Sequence, residues 1–350
     1  MRTRALTSTA APLVARCVRG LEPALSAEIL QYGLGTITRL GHREVHFGTH
    51  RPVADATRLR TADDVFLLAA RMPDPGPAKA GLSTLAELAD QADVRHASPI
   101  TGVEVSASFL GRRNYNRHDA EDAVGRALAD RFDVQYHSRR DGTAPPPSHN
   151  GWRLTLDGTH ATLMLRIADQ PLHRRPYKRQ TIPGTLHPPV AAAMAQLADI
   201  DPGQTVLDPC CGAGTLLIEA AHLRPGARYR GFDTAHASLQ AARTNAKDIG
   251  AIDIRRGDAG SLPLKDASID RVISNPPWGT QVNPSGLLAR HPSRLWSELR
   301  RVLAPKGIAV VLISDPSALT AAFKHDLTPV HLQQVRVSGI HTHLVQLRPC

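Results

Sequence analysis

A chain of 350 residues with 42% apolar content is long enough for two or three domains with real cores, and its composition excludes a disordered protein. Its four cysteines, Cys17, Cys210, Cys211 and Cys350, have neither CxxC nor metal-ligand spacing, Arg16 and Arg19 interrupt any signal-peptide core, and no run of about 18 apolar residues offers a membrane span, so a soluble protein of a reducing cytoplasm is expected. The net charge of +10 is uneven, with 21 basic against 19 acidic residues through position 170 and 21 against 13 beyond it.

In the first block, residues 13–18 read as a strand, 21–32 as a helix and 36–47 as one or two strands broken at Gly41-His42; a second helix is predicted over 52–60. A Pro/Gly-rich break at 73–79 opens the second block. There 82–91 reads as a helix, 102–109 as a strand, 120–132 as a helix, and 152–156 with 159–166 as a hairpin turned at Asp157-Gly158. Both blocks are small α+β modules. A Pro/basic stretch over 171–189 follows, in which His173-Arg174-Arg175-Pro176-Tyr177-Lys178-Arg179 gathers four of the surplus charges around an aromatic ring. Such a segment suits a phosphate backbone, although a solvated linker has the same composition.

Beyond residue 189 the pattern alternates. Strands are predicted at 205–208, 228–233, 252–256, 269–274 and 308–314, with helices or turns between them and two closing strands at 330–337 and 341–347. This is the pattern of a mostly parallel sheet covered by helices, which binds ligands at the carboxyl ends of its strands. The first such end is Asp208-Pro209-Cys210-Cys211-Gly212-Ala213-Gly214-Thr215, where two glycines let the backbone approach a ligand and a helix amino terminus follows. Leu217 stands where a dinucleotide fingerprint wants a third glycine, which disfavours a nicotinamide cofactor. Asp233 and Asp258 end the next two strands, and three acids in order along one sheet describe a nucleoside pocket. The fourth end, Asn275-Pro276-Pro277-Trp278, has two prolines that remove backbone donors and fix an extended turn. The Asn275 amide oxygen and the Pro276 carbonyl are then available to hold one amino group, and Trp278 offers a face for a base taken out of its stack.

These motifs resemble those of the class I amino-methyltransferases, and residues 171–350 resemble their RNA guanine-N2 branch. Leu172 to Tyr177 and Pro183-Gly-Thr-Leu-His-Pro-Pro189 resemble the junction between a THUMP domain and the catalytic domain. Gly111-Arg-Arg-Asn-Tyr115 through Gly125 resembles THUMP itself, and Cys17-Val-Arg-Gly-Leu-Glu22 the start of a ferredoxin-like domain. The resemblance implies a ferredoxin-like domain over 1–72, THUMP over 73–170, a basic linker over 171–189 and a Rossmann-like seven-stranded methyltransferase domain over 190–350.

It also implies direct transfer of a methyl group from S-adenosylmethionine to N2 of a guanosine in RNA, without a metal or a covalent intermediate, by a monomer acting on structured RNA, with the acceptor stem of tRNA as the expected target. The expected catalytic residues are Asn275, Pro276, Pro277 and Trp278, and the expected cofactor residues are Thr185, Asp208, Pro209, Cys210, Gly212, Gly214, Thr215, Asp233, Asp258, Ala259 and Asn275. Arg112, Arg113, Tyr115, Arg174, Arg175, Lys178 and Arg179 are the expected RNA contacts. Cys210 and Cys211 read as packing residues, and His187, His341 and His343 as core or surface histidines. Other readings stay open: guanine-N2 methylation of 23S rRNA, adenine-N6 methylation of nucleic acid, methylation of protein glutamine, and an RNA-binding protein with a vestigial methyltransferase fold.

Overall fold

The computed structural model describes residues 10–250, 252–279 and 282–350. Arg2 and Arg4 therefore lie outside the described residues. Two compact units emerge: residues 10–16, Ser26–Leu59 and Asp64–Leu172 form one, while Cys17–Leu25, Arg60–Asp63 and His173–Cys350 form the other.

The first unit is built on β1 (Ala11–Arg16), β2 (Thr36–Gly41), β3 (Glu44–Thr49), β4 (Asp64–Pro73), β5 (Val103–Phe109), β6 (Tyr136–His137), β7 (Asn150–Leu156) and β8 (His160–Arg166). These make one sheet in the order β2-β3-β1-β4-β8-β7-β5-β6, parallel only where β5 meets β6 and β7. Helix α1 (Glu22–Gln31) spans the division at Leu25, and α2 (Gly81–Gln91) packs on α3 (Arg117–Phe132). The start of α3 is set by Asn116, whose side chain accepts from His118 and Asp119 N–H while Asp119 reaches back to the Asn116 N–H. The hairpin at Asp157-Gly158 forms as expected.

One expectation for this half fails and one long strand was not predicted. Residues predicted as a helix over 52–60 make only a 3-10 turn at Val53–Arg58, because Leu59 returns to extended backbone. The ten-residue strand β4 was not foreseen at all. It lies centrally between β1 and β8, with Asp64 to Phe66 and Leu67 buried in succession, so it lacks the polar alternation that marks a half-exposed strand.

The second unit follows α4 (Pro188–Leu197) with β9 (Thr205–Asp208), α5 (Thr215–Leu223), β10 (Arg228–Asp233), α6 (His236–Ala246), β11 (Ile252–Arg256) and β12 (Ile269–Ser274). Helices α7 (Gly286–Arg290) and α8 (Arg294–Val302), strand β13 (Leu303–Ile313), helix α9 (Ser317–Phe323) and the hairpin β14 (Leu327–Val337) and β15 (Ile340–Pro349) complete it. The sheet order is β11-β10-β9-β12-β13-β15-β14, parallel from β11 to β13, with β15 antiparallel between its neighbours. Strand order reverses between β9 and β12, which opens a crevice at their carboxyl ends. Residues Ile308 to Ile313 are buried without a break, as a central strand covered on both faces requires. Among the described residues no helix is long and apolar enough to cross a membrane.

Candidate active site

The crevice holds a cavity of about 300 Å³. Its floor is the turn from β9 into α5. Gly212 and Gly214 sit at φ 51° and 81°, the left-handed region that favours glycine, and the turn is closed by Cys211 N–H donating to the Phe232 carbonyl at 2.9 Å. Asp233 locks the same turn from the end of β10, accepting the Gly212 N–H at 3.0 Å on one carboxylate oxygen and the Ala235 N–H at 2.9 Å on the other. Asp258 is engaged in the same way, by Gly260 N–H and Leu287 N–H, each at 2.8 Å. A carboxylate oxygen can accept two hydrogen bonds and each of these is given one, so both acids keep capacity for a ligand.

Burial gives the floor its electrostatics. Asp208 is 1% exposed, and loss of water, with the neighbouring Asp233, pushes its carboxyl up to about 8. The Cys210 and Cys211 thiols are pushed well above their ordinary value by burial and by these acids. Neither is a thiolate, so neither is poised as a nucleophile.

The end of β12, the turn after it and the start of α5 carry the polar atoms that want a partner. Asn275 Oδ1, Ser274 Oγ, Thr215 Oγ1 and Trp278 Nε1 are buried with no hydrogen-bond partner among the described residues. An orphaned acceptor at Asn275, beside a glycine-rich turn and a ribose-type acid, fits a nucleoside cofactor and an amine acceptor held in one cavity. Thr185, Asp208, Pro209, Cys210, Gly212, Thr215, Asp233, Asp258, Ala259, Asn275, Pro276, Pro277 and Trp278 all line it. Gly214 does not; its place is structural, since an added Cβ would meet Ala242 Cβ at 3.3 Å.

The expected RNA contacts divide. Arg112 and Arg174 are exposed, and Arg179 is exposed but paired with Asp248 at 2.6 Å. Lys178 is half-buried, which lowers its ammonium from the usual value. Three turn inward, contrary to expectation. Arg113, 4% exposed in its side chain, grips Asp74 at 2.5 Å and the Tyr115 hydroxyl at 2.9 Å, and Tyr115 is itself buried. Arg175 donates to the fully buried Glu219 at 3.0 Å and to the Arg60 carbonyl at 2.6 Å. Unpaired guanidinium is too costly to bury, so these side chains serve the fold that satisfies them.

Several cavity residues escaped the sequence reading: His187, whose Nε2 lies 2.6 Å from Asp63 Oδ1, then Val282, Asn283 and Ser285, and Val337, Ser338 and Ile340 of the β14–β15 turn. Asn245 was also missed. Buried on α6, it accepts from Arg179 and Gln180 N–H and donates to the Gln180 and Ala213 carbonyls, tying the basic segment to the glycine-rich turn. Only Ser338-Gly339 carried a local signal, that of a tight turn. Among the described residues no three His, Cys, Asp or Glu side chains are grouped as metal ligands.

The family model described as RMKL-like, methyltransferase domain, matches residues 175–343. A tRNA (guanine(6)-N2)-methyltransferase of Thermus thermophilus is 31% identical over 244 residues, which cover 68% of this chain and 69% of that protein. The U6 snRNA (guanine-N(2))-methyltransferase THUMPD2 of Mus musculus is 34% identical over 176 residues, 47% of this chain but only 33% of its own length. Among solved structures, TrmN from Thermus thermophilus matches at a TM-score of 0.79 and 26% identity, over 97% of this chain and 99% of that one.

Proposed function

The chain belongs to the class I RNA guanine-N2 methyltransferases, with S-adenosylmethionine as cofactor, and we propose that its target is a guanosine in the acceptor stem of tRNA. The observation that carries the chemistry is the buried Asn275 Oδ1 at the end of β12, without a hydrogen-bond partner among the described residues and in one cavity with the glycine-rich turn and Asp233. The cofactor, when bound, supplies a methyl group on a sulfonium.

The remaining work belongs to the chain's own residues. The N2 amine of guanine shares its lone pair with the ring, so it is a poor nucleophile until its hydrogens are held. Asn275 Oδ1 and the Pro276 carbonyl accept those two hydrogens and turn the lone pair toward the methyl carbon, which is catalysis by positioning and electrostatics. Trp278 supports the flipped base. The unused acceptor capacity of Asp233 suits ribose hydroxyls, and the Thr215 hydroxyl with the α5 amino terminus suits a carboxylate.

In this reading residues 1–72 are a ferredoxin-like module, 73–170 are THUMP, and the two share a sheet through β4 and β8. Residues 171–189 are the linker and 190–350 the methyltransferase domain of a cytoplasmic monomer. Arg112 and Arg174 remain exposed for phosphate contact. Nucleoside analysis of RNA methylated by the purified protein tests the proposal: N2-methylguanosine confined to tRNA is expected. N6-methyladenosine as product, or N2-methylguanosine confined to large-subunit rRNA, would overturn the corresponding part.

A further inference from the structure

The strand order separates the two halves of the reaction. The acids Asp258, Asp233 and Asp208 stand at the ends of β11, β10 and β9, and Asn275 stands at the end of β12. Beyond β12 lie β13, β15 and β14, and from that flank the β14–β15 turn reaches the cavity with Val337, Ser338 and Ile340. On the methyltransferase reading above, the cofactor occupies the acid-bearing flank, so the base must enter beside the turn.

The turn is short and stiff. Val337 pairs with Ile340 across it, and both central residues have left-handed backbone, Ser338 at φ 50° and Gly339 at φ 83°. Two such residues make the tight hairpin whose twist matches its strands. Ile340 is 38% exposed, an aliphatic side chain left at the cavity wall without a core to cover it.

The hairpin is also held from outside. As the sheet's last strand, β14 has an outer edge of backbone groups that want partners. Arg336 N–H donates to the Arg19 carbonyl at 3.0 Å, and Gln333 Nε2 donates to the Gly20 carbonyl. The approach is so close that a Cβ on Gly20 would stand 2.1 Å from the Gln334 carbonyl oxygen, and Gly20 has φ +96°. Glu22 fixes the loop by accepting the Gly20 N–H at 2.7 Å. The covered stretch ends one residue before Val337, where the cavity wall begins.

We propose that Arg19-Gly20 is a positioning element for the acceptor side of the active site: it holds the β14–β15 turn, and Ile340 on that turn is an apolar contact of the target base. Gly20 acts through the hairpin and touches neither cofactor nor base.

The 350-residue chain is assayed for methyl transfer to bulk RNA from cells lacking the gene, with S-adenosylmethionine affinity measured by calorimetry. Gly20→Ala is expected to lower kcat/KM for RNA about tenfold, with cofactor affinity changed less than about twofold. Ile340→Asp loses about tenfold, and Ile340→Leu, which keeps the apolar face, less than about threefold. Should Gly20→Ala fail to fold, Gln333→Ala decides, with a loss of about threefold and faster hydrogen exchange at residues 336–342. Wild-type transfer rates in Gly20→Ala or Gln333→Ala, or a matching loss of cofactor affinity, overturn the positioning role; equal rates in Ile340→Asp and Ile340→Leu overturn the base contact. Label in rRNA alone overturns the tRNA reading and leaves these rate comparisons intact.

Discussion

Asn275 Oδ1 is a buried acceptor with no donor among the described residues, and such a group costs about 1–3 kcal/mol while it stays unpaired. On the proposed function an incoming amine recovers that cost, so the residue trades stability for readiness. Asn275→Ala is therefore expected to lower kcat by about a hundredfold or more, with a melting temperature no worse than wild type. Single-turnover kinetics beside calorimetry will check it, and retention of most turnover would remove Asn275 from the chemistry. Asp208 makes a second case. Its carboxyl titrates near 8 in the fold against 3.8 when solvated, so the fold favours the protonated form. The stability this confers is fully present below about pH 4 and is lost as pH rises through about 8. Cofactor-free protein should thus weaken on the order of 4 kcal/mol from pH 4 to pH 7 through this group, and Asp208→Asn should remove that share of the slope. Denaturant midpoints measured across this range decide; parallel slopes in both proteins would refute it.

At the scale of elements, the strand–turn–helix from β9 to α5 was legible because its signals are local: an apolar run, two glycines, then a helical pattern. The Asn275 motif was legible for the same reason. Strand β4 was not, because a strand buried on both faces has no alternation to read, and neither were Glu219 and Asn245, whose partners lie far away in sequence. The basic segment shows the limit of composition. Arg174 and Arg175 are neighbours with the same charge, yet one faces solvent and the other is held by Glu219; Arg112 and Arg113 repeat the contrast. Reversing Arg112 and Arg174 to Glu should weaken RNA binding and reduce its salt dependence by about one unit of slope per contact, leaving the melting temperature alone. Arg113→Ala and Arg175→Ala should instead lower the melting temperature by taking the Arg113 guanidinium from Asp74 or one of the two paired guanidinium groups from Glu219. Filter binding across a salt series beside thermal melts separates the two, and identical behaviour of all four would undo the division.

The whole molecule does not divide where its sequence motifs do. Cys17–Leu25 and Arg60–Asp63 cluster with the catalytic unit, and Arg60 donates to Glu219 at 2.6 Å. A fragment of residues 173–350 lacks that partner and the cover on β14, so the buried Glu219 keeps Arg175 and the Tyr177 hydroxyl but loses one of its two guanidinium groups. The fragment should melt well below the full chain, and equal melting would show Arg60 to be dispensable. Substrate choice also belongs to this scale. On the proposed function the cavity takes one flipped guanine, which leaves little surface to choose among the guanines of an RNA, and phosphate contacts carry no sequence information. Selection must then come from a second contact made by the rest of the chain. Residues 73–170 resemble THUMP, which in that family grips the single-stranded end of tRNA, and Arg112 is the exposed candidate there. The full chain is expected to methylate an intact tRNA transcript and to lose at least about tenfold in kcat/KM on one trimmed of its 3′ terminal nucleotides. The Arg112→Glu variant should narrow that difference, because the contact it removes is the one the trimmed transcript already lacks. Equal yields of N2-methylguanosine from both transcripts would place selection in the catalytic unit itself.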